Sequence, residues 1–128
     1  MLTEEETIKI LKKTNSLIEG HFILSSGLRS EKYLQCAQLM MYPDLAEKVC
    51  QSLASKINNE KIDFELVASP AIGGLLVGYQ VSKILKVPNI FVERVNNMFT
   101  LRRGFECKNK KILIVEDVIT TGKSSLEC

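Results

Sequence analysis

ILIVEDVITTGKSS, residues 112–125, is the stretch on which the fold turns. Four apolar residues, Ile112, Leu113, Ile114 and Val115, follow one another without alternation. A run of that kind suits a strand in a parallel sheet that is covered on both faces. Two carboxylates, Glu116 and Asp117, come next, then Val118 and Ile119. The turn Thr120-Thr121-Gly122-Lys123-Ser124 follows and opens a helix. Parallel sheets bind ligands at the carboxyl ends of their strands. A small, hydroxyl-rich turn at a helix start offers N–H and O–H groups to a phosphate. Gly122 lets the backbone come close to it. Glu116 and Asp117 can accept hydrogen bonds from sugar hydroxyls, each contributing about 1.5–3 kcal/mol. One loop can therefore hold a phosphate at one end and a diol at the other, which is the outline of a ribose 5-phosphate.

A rival reading takes Gly122-Lys123-Ser124 as the end of a nucleoside-triphosphate loop. That loop needs a glycine five residues before the glycine of its GKS. Asp117 stands there, and its carboxylate would repel a triphosphate. The rival is excluded.

Outward from this motif, the chain reads as alternating strands and helices. Residues 64–68 form a short apolar strand ended by Ser69-Pro70. Residues 72–85 are long and apolar, with Gly73, Gly74 and Gly78 near their start. Residues 89–92 are a second strand, and residues 95–105 a hairpin around Asn96-Asn97. Residues 112–115 are the third strand. Strand, helix, strand, hairpin, strand, helix gives an α/β domain with a mainly parallel sheet. Ahead of it, Thr3 and Glu6 form a capping box for a first helix. Ile8, Leu11 and Ile18 recur at helical spacing and Gly20 supplies its stop. Residues 22–38 are irregular or short strands. Pro43 opens a second helix whose apolar face is Leu45, Val49 and Leu53, with Ala46, Cys50 and Ile57 beside them. The expected organisation is one domain, with residues 1–42 as an N-terminal helix and hood and 43–128 as a partial α/β core.

Bulk properties exclude several function classes. The 128 residues suit one domain. The net charge is only +2, from 17 basic and 15 acidic side chains, so the basic excess of a nucleic-acid binder is missing. Cys36, Cys50, Cys107 and Cys128 make no CxxC pair and His21 is the lone histidine, so no zinc site is indicated. The thiols read as reduced and the protein as cytoplasmic. The start, Met1-Leu2-Thr3-Glu4-Glu5-Glu6, is acidic, unlike a secretory signal. No apolar run is long enough to span a bilayer.

Residues 112–125 resemble the phosphoribosyl-pyrophosphate (PRPP) motif of type I phosphoribosyltransferases, which constrains about a dozen positions in order. Two further stretches resemble the bacterial and archaeal orotate phosphoribosyltransferases: GHFILSSGLRSEKYLQC at 20–36 and RVNNMFTLRRGF at 94–105. The resemblance runs along nearly the whole chain. It implies the type I phosphoribosyltransferase fold, with sheet order 2-1-3-4-5. It also implies transfer of the phosphoribosyl group of PRPP to orotate, giving orotidine 5′-monophosphate and pyrophosphate, with Mg2+. The magnesium would be carried by PRPP, with no direct protein ligand, and a homodimer is expected.

Residue by residue, the resemblance implies that Glu116 and Asp117 face the ribose hydroxyls and that Val118, Ile119, Thr120, Thr121, Gly122, Lys123 and Ser124 complete the PRPP loop. Arg94 would hold pyrophosphate, and Gly73 would belong to a pyrophosphate loop, residues 69–74, that often carries strained backbone. Glu116, Asp117 and Arg94 would carry catalysis. Thr120, Tyr33 and Leu34 would contact orotate. Arg102 and Arg103 would either offset leaving-group charge or form a solvated hairpin.

The chain departs from many members where Ser25, Gly73 and Val95 stand in place of lysines. Leu101-Arg102-Arg103-Gly104-Phe105 replaces a mobile loop that carries Lys, His and Glu. Members also continue through further strands, so the chain is expected to be a C-terminally truncated fragment. Residues 112–115 would then be an apolar sheet edge, and the chain unstable and weakly active. Two alternatives stay open. The base could be a purine or uracil, or the protein could be a non-catalytic PRPP-binding regulator.

Overall fold

A computed structural model describes residues 1–128. The chain forms two compact units, Met1–Val49 and Cys50–Cys128. The boundary expected from the sequence, between 42 and 43, lies just ahead of the helix in which these units meet along the chain.

In the N-terminal unit, α1 (Glu4–Lys13) starts at the anticipated capping box: Thr3 accepts from the Glu6 amide, and Glu6 accepts from the Thr3 amide. These bonds hold the Glu6 carboxyl below its ordinary value. The helix ends earlier than expected. Thr14 and Ser16 are buried, their hydroxyls are 2.6 Å apart, and Thr14 also donates to the Ile10 carbonyl. Asn15 then turns the backbone at φ 57. Ile18 and Gly20, read as the end of the helix, lie instead in β1 (Leu17–Ile23). The local hydroxyl bonds outcompete a continuing helical ladder. β1 pairs antiparallel with β2 (Arg29–Leu34), with a bulge between Glu19 and Phe22. Residues 22–38, expected to be irregular or short strands, do contain strand: the end of β1 and all of β2, followed by α2 (Cys36–Met40).

Pro43 opens α3 (Pro43–Asn59) as expected. Its buried row is Ala46, Cys50, Ala54 and Ile57, not the row of Leu45, Val49 and Leu53. Small side chains at 46 and 54 allow the closest packing, so the bulkier row flanks the contact. Burial pushes the Cys50 thiol up to about 11, which keeps it protonated near neutrality. All four cysteines are free.

The C-terminal unit is built on a four-stranded sheet: β3 (Leu66–Pro70), β4 (Asn89–Val95), β5 (Met98–Leu101) and β6 (Ile112–Ile114). The spatial order is β5-β4-β3-β6. β3 runs parallel to both β4 and β6, whereas β5 is antiparallel to β4. The core strands therefore follow the expected order 2-1-3. The β4–β5 hairpin turns at Asn96 and Asn97, with φ of 51 and 63, the positive pair that a two-residue hairpin turn requires.

Val67 points to one face, with Cys50 and Ile57 of α3, Val81 of α4 (Gly74–Leu85) and Val115. Leu66 and Ala68 point to the other, with Ile90, Leu101, Phe105 and Cys107. Val67 and Val81 are fully buried. Each contributes about 1.5–3 kcal/mol by leaving water. β3 is the strand covered on both faces. For residues 112–115 that expectation is half met: Val115 is buried, yet Ile112 and Ile114 are 37% and 41% exposed. β6 bonds only to β3, so it is an edge strand.

The approach of α4 to β3 is set by one glycine. A Cβ on Gly78 would lie 1.6 Å from Ser69 Oγ and 2.8 Å from its Cβ. Ser69 is fully buried and accepts from Asn89 Nδ2 at 3.3 Å, so it has nowhere to go. On the same helix the buried Ser82 hydroxyl has no hydrogen-bond partner. Gly78→Ala should therefore destabilise the protein by about 3 kcal/mol or more through overpacking. Ser82→Ala should be neutral or stabilise by about 0.5–1 kcal/mol, because it removes an unsatisfied group and improves helix propensity. Thermal melts of both variants check this pair, and the opposite ranking would refute the packing described.

Candidate active site

β3 and β6 lie side by side, and their carboxyl ends open into two loops. The amide of Val115 donates to the Ala68 carbonyl at 2.9 Å and carries the pairing one residue past β6. Glu116 and Asp117 therefore emerge at the sheet edge beside the end of β3. After β3, the chain passes through Ala71 and Ile72, joined by a cis peptide, into the start of α4.

The two loops touch. A Cβ on Gly74 would meet Pro70 at 3.0 Å and the Val115 carbonyl at 3.2 Å. A Cβ on Gly73 would stand 2.7–2.9 Å from the carboxylate atoms of Asp117. The absence of side chains at 73 and 74 is what lets the first loop lie against the acidic pair. This is a topological switch point, the place where open α/β sheets take their ligands.

Within the motif, Gly122 caps α5 (Lys123–Glu127) with a left-handed backbone, φ 79. That conformation favours glycine. The Lys123 amide donates to Thr121 Oγ1 at 3.3 Å, which folds the turn. Thr120 and Thr121 are exposed, Ile119 is 67% exposed, and Val118 and Ser124 are half-buried. Glu116 is half-buried and accepts from the Ser125 hydroxyl at 2.5 Å. Burial, and then the Glu116 charge, raise the Cys128 thiol.

Arg94, at the end of β4, reaches α5. Its Nη2 donates to Glu127 Oε2 at 2.8 Å and its Nη1 to the Asn97 carbonyl at 3.0 Å, and its guanidinium lies 4.0 Å from the Phe99 ring centre. Glu127 also takes a looser contact from Lys123, 3.9 Å away. Arg94 and the motif helix are therefore brought together, through a carboxylate that the sequence did not single out. Arg102 and Arg103 pair instead with Glu93, at 3.4 and 3.1 Å, and Arg103 also lies over Phe91. The hydrogen bond from Arg103 is the main reason that the Glu93 carboxyl sits below its ordinary value. These two arginines have the partners of an exposed hairpin.

Tyr33 and Leu34 belong to the N-terminal unit, on β2. Tyr33 pairs across the hairpin with Ile18, and its ring lies 5.5 Å from that of Phe22. A cavity of about 540 Å3 in that unit is lined by His21, Phe22, Ile23, Arg29, Ser30 and Glu31. No three His, Cys, Asp or Glu side chains cluster as a metal site would require. No helix is long and apolar enough to cross a membrane.

Known proteins share this arrangement. The orotate phosphoribosyltransferase of Helicobacter acinonychis (strain Sheeba) is 52% identical over 118 residues, 91% of this chain. This chain is similar in sequence to that enzyme along most of its own length. It spans 59% of the length of that relative. No family model matches the chain.

Among solved structures, the orotate phosphoribosyltransferase of Aeropyrum pernix superposes with a TM-score of 0.69 at 24% identity, covering 94% of this chain and 69% of that one. The adenine phosphoribosyltransferase of Leishmania tarentolae gives 0.68 at 15% identity, covering 98% and 67%. At these identities the likeness is one of fold: the type I phosphoribosyltransferase fold, shared by orotate and adenine enzymes alike.

Gly73→Ala tests the loop contact. The backbone at 73, φ −58 and ψ −36, accepts alanine without strain, so stability should change by less than about 1 kcal/mol. The added methyl must displace the Asp117 carboxylate. Binding of Mg2+–PRPP, measured by calorimetry, should weaken about tenfold, the loss of one charge-assisted bond. Undiminished binding by a well-folded variant would separate Gly73 from the acidic pair.

Proposed function

We propose that the chain carries the PRPP-binding core of an orotate phosphoribosyltransferase, joining orotate to the ribosyl group of PRPP with release of pyrophosphate. The observation that supports this most is the contact of the Gly73 loop with Asp117 at the switch point, in a sequence 52% identical to an orotate enzyme. In this reading Glu116 and Asp117 accept hydrogen bonds from the two ribose hydroxyls. Residues 120–124 surround the 5′-phosphate with amide and hydroxyl donors. Val118 and Ile119 give the turn its span. The Gly73 loop and Arg94 face the pyrophosphate, and Thr120 contacts the base.

Leaving of pyrophosphate from C1 of the ribose builds positive charge on the sugar ring and negative charge on the departing oxygens. The protein's contribution is to fix both anionic ends and to hold carboxylates near the developing cation. Arg94 is oriented by Glu127, and a departing diphosphate can take over its donors. Mg2+ is brought by PRPP, and the hard oxygens of Glu116 and Asp117 suit the hydroxyls and water around such an ion. Bound there, magnesium would neutralise part of the pyrophosphate charge. A homodimer and a cytoplasmic location complete the reading, as in the resemblance set out above.

Two measurements test it. Titration of Mg2+–PRPP into the protein with orotate present should cause a PRPP-dependent loss of orotate absorbance. Binding of PRPP without that loss would favour a non-catalytic sensor, and no binding would overturn the proposal. Asp117→Asn should weaken PRPP binding about tenfold or more, one charged hydrogen bond being worth at least ~1.4 kcal/mol. Unchanged affinity would remove the sugar-diol role of Asp117.

A further inference from the structure

We infer that Ser125 is a positioning residue for Glu116, a role that rests on the sugar-binding reading above and adds a residue outside the PRPP loop of 116–124. The Ser125 hydroxyl donates to Glu116 Oε2 at 2.5 Å, and both residues are half-buried. Glu116 follows β6 and Ser125 lies within α5, so the bond ties the strand end to the helix across nine residues.

A glutamate side chain has three rotatable bonds, and without an anchor its carboxylate sweeps a wide arc. The cations of this region do not supply that anchor, because Arg94 and Lys123 pair with Glu127. The serine hydroxyl does. An ionised carboxylate has about four acceptor positions, and Ser125 uses one of them on Oε2. Oε1 and the second position of Oε2 stay available to a diol. The bond thus orders the carboxylate before the sugar arrives, which lowers the entropy lost on binding. Because α5 continues directly from the turn of residues 120–124, the same bond fixes the diol acceptor relative to that turn.

The test is calorimetry on the protein and on its Ser125→Ala and Ser125→Thr variants, with two probes. Mg2+–PRPP carries the diol, and Mg2+–pyrophosphate lacks it. Ser125→Ala should weaken PRPP about three- to tenfold, the range of a single hydrogen bond to a charged group, with pyrophosphate affinity unchanged. Ser125→Thr keeps the hydroxyl and should bind PRPP like the parent. In turnover the alanine variant should show a raised KM for PRPP with kcat little changed. The inference fails if Ser125→Ala binds PRPP as the parent does, if both probes weaken in the same proportion, or if threonine does not rescue. A parent protein that binds no PRPP would overturn the sugar-binding reading itself, and this inference with it.

Discussion

The arrangement depends on β3 lying between β4 and β6 with both neighbours parallel to it. That pairing buries β3 on both faces and brings two strand ends to the same edge. The amide of Val115, donating to Ala68, extends the pairing to the threshold of the acidic pair. The loop after β3 must then bend back into α4 without colliding with that pair. Glycines at 73 and 74 make this possible: a side chain at 74 would strike Pro70 and the Val115 carbonyl, and one at 73 the Asp117 carboxylate. Gly78 serves the same end one turn further on, where it lets α4 sit on Ser69. Three glycines in six residues are thus the steric condition for the close approach of this loop to the acidic pair and of α4 to β3.

Charge at this end of the sheet is organised by two carboxylates, the exposed Glu127 and the half-buried Glu93, rather than by a fully buried pair. Glu127 holds Arg94 and stands near Lys123, while Glu93 holds Arg102 and Arg103. Exposed ion pairs of this kind add little to stability, about 0–1 kcal/mol each. Their effect is on direction. Arg94 is aimed toward the motif helix, with its guanidinium against Phe99. Arg102 and Arg103 are drawn onto Glu93 of β4.

Much of this was legible from residue order, and what was not has a physical reason. The capping box at Thr3 and Glu6, the Asn96-Asn97 turn and the strand–acid–turn–helix motif are local patterns, and local chemistry carries them into the structure. The end of α1 was misjudged because Ile18 keeps helical spacing, whereas the buried hydroxyls of Thr14 and Ser16 act through tertiary burial that spacing does not record. The apolar face read for α3 contains Ala46, Cys50 and Ile57 but centres on the bulkier Leu45, Val49 and Leu53; apolar size does not record closeness of approach, and the small Ala46 and Ala54 are the buried centre. Ile112 and Ile114 look like core in sequence, but coverage belongs to neighbours, and β6 is the apolar sheet edge expected of residues 112–115, with one strand neighbour only. Ser125 ends the motif and Glu127 lies beyond it, and residue order signals the partner of neither. Their partners, Glu116 and Arg94, lie 9 and 33 residues away, and only the folded chain brings them near.

The departure at residue 73 ties these threads together. The resemblance implies a lysine at this place in many members, which in the proposed reading would bring a long cation to the pyrophosphate. In this chain a side chain at 73 would begin inside the space of the Asp117 carboxylate. A lysine stem and this pose of Asp117 are alternatives, and the chain has taken the second. The cost is one positive charge in the loop; the gain is a carboxylate seated directly against the backbone of the first loop. The positive charge at this edge then falls to Arg94 and Lys123, both held by Glu127 on the motif's own helix. In the proposed reading the cations of this edge are therefore Arg94 of β4 and Lys123 of α5, with none from the loop after β3. This links the glycine pattern, the pose of the acidic pair and the arginine latch as parts of one steric solution.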